Sequence, residues 1–225
     1  SKSGAKEVVR QAILPLCNAY NFLVTYARVD GWTPEHYPKT PSENVLDKWI
    51  LSKVASLIDG VDTALSTYRL YAATHPVIEF IDQLTNWYIR LNRRRFWGSG
   101  SAAENNDKLH AYATLHTSLL ACVRVLAPLA PFVSEEIFLN LVSDMKGIRK
   151  DSVHLLPFPS IKDFQGLEIN SELEHAMEVF EEAILLGRSV RNAHEIKVRQ
   201  PLPKITIVHP QREVSLALKV FEDYI

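Results

Sequence analysis

The sequence predicts a mainly α protein: an antiparallel helix bundle over residues 1–145, a linker over 146–170, and the start of a small α+β unit over 171–225. Three observations carry this reading. Apolar residues recur at helical spacing in one long segment after another, prolines and glycines punctuate the gaps, and one short run alone, 205–208, has strand character.

In the first helix Val8, Ala12, Leu16, Ala19, Leu23 and Tyr26 share a face; Pro15 should kink it and Gly31 should end it. Residues 32–43 hold three prolines and form a loop. Asn44, followed by Asp47, starts the second helix, whose buried stripe is Leu46, Trp49, Ile50, Val54, Leu57, Val61 and Leu65. A long third helix runs from about residue 68 to Trp97, bends near Pro76 and stops in the glycine-serine run 98–101. Leu109, Tyr112, His116, Leu119, Val123 and Leu126 set the fourth. The APLAP step at 127–131 breaks it before a short fifth helix through Leu141.

After the linker, Ser171 and Glu174 read as a capping box. The helix behind them places Leu173, Met177, Phe180 and Ile184 on one face, continued by Val190, with glutamates opposite. Pro201 and Pro203 bracket a turn, Ile205, Thr206, Ile207 and Val208 form the strand, and Val214, Leu218, Phe221 and Ile225 begin another helix.

Composition narrows the function classes. With 225 residues, 47% hydrophobic and 23% charged, the chain is neither disordered, collagen-like nor disulfide-stapled. Its longest apolar run, 125–133, is nine residues with two prolines, too short to span a bilayer. Cys17 and Cys122 lie in apolar helical patterns without metal-ligand spacing, which favours buried thiols in a reducing compartment. No two histidines are spaced as a metal pair on one helix face, and no glycine-rich phosphate loop is present. The chain opens at Ser1 without a methionine or a signal peptide and stops inside an apolar pattern, so it reads as a piece of something longer.

A net charge of −1 gives phosphate no overall attraction, but the charge is segregated. Residues 83–103 hold four arginines and no acid, 168–182 six glutamates and no base, and 187–204 five bases and one acid. At about 100° per residue from Leu84, the residues Val77, Phe80, Ile81, Trp87, Tyr88 and Leu91 face the bundle, so Trp87 and Tyr88 are structural. Asn86, Arg90, Arg93 and Trp97 fall together on the outer side, flanked by Arg94. Three guanidiniums and an indole on one face suit RNA, by bidentate phosphate contacts and base stacking. The same pattern also fits a solvated basic face with a helix-ending tryptophan packed on a neighbour. Arg95 falls on the inner side, where a charge needs a partner, and reads as a structural ion pair.

The run NWYIRLNRRRFW at 86–97 resembles the helical anticodon-binding domain of the isoleucyl-tRNA synthetases. VVRQAILPL at 8–16, NAY at 18–20, FLVTYA at 22–27, LDKWILS at 46–52, LAP at 126–128 with PF at 131–132, and IKVRQPL at 196–202 extend the likeness over most of residues 8–208. The resemblance implies a bundle of the class I synthetase anticodon-binding type, joined to a C-terminal junction. It implies tRNA(Ile) as partner, with Asn86, Arg90, Arg93, Arg94 and Trp97 as contacts. Arg191, Lys197 and Arg199 join them from the second basic cluster, where the competing reading pairs Arg188 and Arg191 with nearby glutamates. The parent of such a domain attaches isoleucine to tRNA with ATP and Mg2+ in a catalytic core marked by His-Ile-Gly-His and Lys-Met-Ser-Lys-Ser signatures. Neither signature is in this sequence, nor is an editing domain, so the resemblance implies no catalytic residue, metal or cofactor here. It further implies a cytoplasmic, monomeric, membrane-free protein partnered by the remaining domains of the same enzyme. Valyl, leucyl and methionyl relatives share the bundle, although the arginine run argues against them. A helical protein-interaction module with a basic stripe is the competitor from another class.

Overall fold

A computed structural model describes residues 6–97, 102–143, 145, 151–197 and 199–224, which form two compact units, Ser1–Ile169 and Asn170–Ile225. The glycine-serine run 98–101, Val198 and Ile225 lie outside the described residues.

In the first unit, α1 (Leu14–Asp30) follows a π-helical turn, Val9–Ile13. Pro15 sits in its first turn. Having no N–H to donate, Pro15 belongs at a helix start, so the chain changes winding just before it instead of kinking a continuous helix. Ala12, Leu16, Ala19 and Leu23 are buried as expected, whereas Val8 is exposed. Gly31 closes α1 with φ 65°, a conformation that costs glycine nothing.

Asn44 caps α2 (Val45–Ser66), its Oδ1 accepting from the backbone N–H of Leu46 and Asp47. Next come α3 (Leu70–Asp82), a π-helical stretch Gln83–Ile89 and α4 (Arg90–Trp97), together making the long third helix. The Thr85 hydroxyl donates to Ile81 O at 2.8 Å in the π stretch. The described part of the bundle is completed by α5 (Ala102–Leu126) and α6 (Pro131–Val142).

Winding explains a difference from the expected helical wheel. Phe80, Leu84, Tyr88, Asn92 and Phe96 are all buried, a repeat of four. An unbroken α-helix advances about 40° for every four residues and would carry Phe96 far from Phe80. The wider π turn removes that drift. Trp87 and Leu91, expected inside, are therefore half-buried, and Asn92 and Phe96 take the inner positions.

Residues 146–170, expected as a linker, behave otherwise where they are described. Val153, Phe164 and Leu167 are buried, the Val153 N–H donates to Glu135 Oε2, and Arg124 binds Asp163 at 2.7 Å with its guanidinium over the Phe164 ring. The strap thus belongs to the bundle.

The second unit pairs α7 (Ser171–Ala193) with α8 (Arg212–Val220) through Phe180 and Phe221, 5.4 Å between ring centroids. Asn170, not Ser171, caps α7: its side chain accepts from Leu173 N at 3.0 Å. Met177 and Phe180 are buried, while Val190 is exposed. The expected strand at 205–208 is absent, and no strand occurs among the described residues. Its β-branched pattern meets no second strand to share ladder hydrogen bonds, and Val208 is 88% exposed.

Candidate nucleic-acid interface

The outer face of α4 is determined by what holds its inner face. Phe96 is fully buried, edge-on to Phe22 of α1 at 5.0 Å and to Tyr112 of α5 at 5.1 Å, and Tyr112 stacks on Trp32. Beside it, Arg95 reaches across the bundle. Its Nη1 and Nη2 bind the two carboxylate oxygens of Asp47 at 2.7 and 2.8 Å. Nε and Nη2 bind Asp107 at 2.8 and 2.7 Å, and Nη1 also donates to Asn92 Oδ1 at 3.0 Å. With this set the whole donor fork of the guanidinium is engaged.

Asp47 is 0% exposed. Besides Arg95 it accepts from the Tyr88 hydroxyl at 2.7 Å and the Ser42 hydroxyl at 2.6 Å. Burial opposes the charge of Arg95, but its hydrogen bonds to Asp47, the charges around it and the bond to Asp107 more than offset this and raise its pKa. Burial, and then the Asp47 carboxylate, push the Tyr88 phenol well above its ordinary value, so it stays a neutral donor. Arg95, Tyr88, Asp47 and Asp107 thus form one network joining α2, the π stretch, α4 and α5.

Helix-start chemistry alone gives Asp47 no more than a place in the first turn of α2. Its position three residues before Ile50 and seven before Val54, on the apolar stripe, is the signal that marks it as a buried acid. Asp107, from the start of α5, carries no comparable signal.

With Arg95 and Phe96 turned inward, Arg90, Arg93, Arg94 and Trp97 are turned outward. Trp97 is 56% exposed, and among the described residues none of the three arginines has an ion-pair partner. Asn86 is also exposed, one turn earlier, but its amide donates to Asp82 Oδ1 at 2.6 Å.

The second basic cluster is arranged differently. Arg191 is half-buried and donates to the backbone carbonyls of Lys197 and Gln200, at 3.3 and 2.7 Å. It holds the turn after α7, on which Lys197 and Arg199 are exposed. Among the described residues no group of three or more His, Cys, Asp or Glu could hold a metal ion, and no helix is long and apolar enough to cross a membrane.

An exposed arginine face on one helix of a bundle is chemistry without a family until the chain is compared with others. Residues 47–207 match the family model for the anticodon-binding domain of tRNA ligase. The chain belongs to this family. As an anticodon-binding domain it carries both of the features described above, the Arg95 network and the outer arginine face, inside the matched region. Among known proteins it is 42% identical over 207 residues to an isoleucine–tRNA ligase from Clostridium novyi, covering 92% of the chain and 19% of the relative. It is 42% identical over 220 residues to that of Protochlamydia amoebophila, covering 97% and 20%, and 39% identical over 224 residues to that of Bdellovibrio bacteriovorus, covering 100% and 20%. The domain thus spans about a fifth of the length of these curated relatives.

Proposed function

We propose that this chain is the anticodon-binding part of an isoleucine–tRNA ligase and that it holds the anticodon arm of tRNA(Ile) on the outer face of α4. The observation that carries the reading is the division of one helix. Arg95 and Phe96 are locked inside, and this fixes the rotation that displays Arg90, Arg93, Arg94 and Trp97 together. Guanidiniums take phosphate oxygens in pairs, and the indole offers an unpaired loop base a stacking plane. Asn86 borders this face. Lys197 and Arg199 supply further phosphate contacts, and Arg191 acts by holding the turn that bears them. Isoleucine activation with ATP and Mg2+, and transfer to the acceptor end, belong to the rest of a longer cytoplasmic enzyme, within which this domain serves as a monomer.

The test is the binding of an anticodon stem-loop of tRNA(Ile) against a plain RNA duplex of equal length across a salt series. Preference for the stem-loop, with affinity falling steeply as salt rises, supports the reading. Equal, weakly salt-dependent binding of both would remove it.

A further inference from the structure

The face that carries the arginines does not stay basic. From Trp97 back toward the start of the long helix, the exposed polar positions are Arg94, Arg93, Arg90 and Asn86, then Asp82 and Glu79. The two acids differ. Glu79 lies 3.4 Å from Lys53 Nζ, a cation that offsets its charge. Asp82 is bound by the Asn86 amide at 2.6 Å, a neutral partner, and no cation pairs with it among the described residues. Its carboxylate therefore stands at the surface as a net negative charge. It lies eight residues before Arg90, no more than about 12 Å along the helix.

We propose that Asp82, held by Asn86, is a specificity-determining charge that ends the RNA track at Arg90. The proposal rests on the RNA-binding reading above. A single loop strand places its phosphates over Arg90, Arg93 and Arg94 and then turns away. A duplex carries about one charge per 1.7 Å of axis. Laid along the same face, it cannot continue past Arg90 without bringing phosphates within about one Debye length, ~8 Å, of the carboxylate. The arginines attract every RNA backbone, and the acid repels the one that does not end there; discrimination needs both elements. This also gives Asn86 a part: it orients Asp82 and need not touch RNA.

Asp82→Asn tests this, because asparagine keeps an oxygen acceptor at the same place and removes the charge. The measured quantities are affinities for the anticodon stem-loop and the equal-length duplex at two salt concentrations, with a melting curve to verify folding. The expected result is a gain in duplex affinity of about threefold at low salt, from the removal of one screened like-charge repulsion. Stem-loop affinity should change by less than about half that factor, so selectivity falls. Glu79→Gln, whose charge Lys53 already offsets, should leave selectivity nearly unchanged. An equal gain for both RNAs, or none for either, overturns the boundary while RNA binding stands. Absence of salt-dependent stem-loop binding by the unmodified chain overturns the RNA reading and the boundary with it.

Discussion

Arg94 and Arg95 are adjacent in the chain and chemically identical, yet one stands in solvent and the other is bonded through its whole guanidinium. Arg95 has its side chain 11% exposed and binds two carboxylates, one of them fully buried. Arg94, with Arg90 and Arg93, has no ion-pair partner among the described residues. The difference teaches that a run of arginines is not one feature. About 100° of helix separates a charge whose removal unbalances the interior from one whose removal is felt only by a ligand.

The strongest way to break this comparison is to truncate both sides of it. Arg95→Ala leaves Asp47 buried without its counter-ion and should cost about 3–5 kcal/mol in chemical denaturation. Arg93→Ala should stay within about 0.5 kcal/mol. Equal costs would mean that the two faces are not distinct. Asp107 is 45% exposed, and water can replace part of what it accepts. Asp107→Asn should therefore cost about 1 kcal/mol, well below the cost of losing Arg95.

A second interior group extends the inner side of the comparison. His116 is buried in α5; its Nε2 donates to Leu141 O at 2.9 Å and its Nδ1 accepts from the Tyr37 hydroxyl at 2.7 Å. Neither partner is an anion that would favour the charged ring. Burial lowers its pKa from 6.5 to about 4. Above pH 6.5 the ring is neutral in both states and the folded chain has its full stability. As the pH falls from 6.5 toward 4, the unfolded chain takes up a proton that the folded chain refuses, so stability falls and then levels once the folded ring also titrates. The loss should approach about 3 kcal/mol, because moving a pKa by one costs roughly 1.4 kcal/mol. Stability curves at pH 7 and pH 4.5 measure it, and His116→Gln should flatten the difference. An unchanged pH dependence in that variant would assign the acid sensitivity to other groups.

On the outer side the effects pass from stability to binding. Replacing Arg93 and Arg94 together by glutamine should flatten the plot of log affinity against log salt by about 1.4 to 1.8, at 0.7 to 0.9 per phosphate contact. The melting temperature should hardly move. Trp97→Ala should cost about 1–3 kcal/mol in stem-loop affinity and little in duplex affinity, which offers no free base face. A variant that melts early and loses both RNAs in proportion would place the indole in the packing of the turn instead.

The extent to which the sequence foretells this arrangement follows from which interactions are local. Helices, the Asn44 cap, the Gly31 stop and the inward Arg95 are legible because each depends on residues a few positions apart. The partners of Arg95 are not, since Asp47 lies 48 residues away and Asp107 on another helix. The 205–208 segment misleads for the opposite reason: its residues are ideal for a strand, but a strand is a pair, and no local pattern supplies the partner. The 146–170 segment looks like a linker because it is irregular and polar. Single side chains, Val153, Phe164 and Leu167, are enough to seat it.

The π-helical stretch Gln83–Ile89 has a consequence for how such a domain tolerates change in length. A π turn is an α-helix with a residue to spare, so a single deletion within it would let the helix close to ordinary winding while both flanks kept their neighbours. The same deletion in α4 would swing Arg95 about 100° off its acids and turn Phe96 out of its place between Phe22 and Tyr112. Single deletions in this long helix should therefore accumulate between residues 83 and 89, where winding absorbs them, and be excluded from Arg90–Trp97, where register and rotation are the same thing.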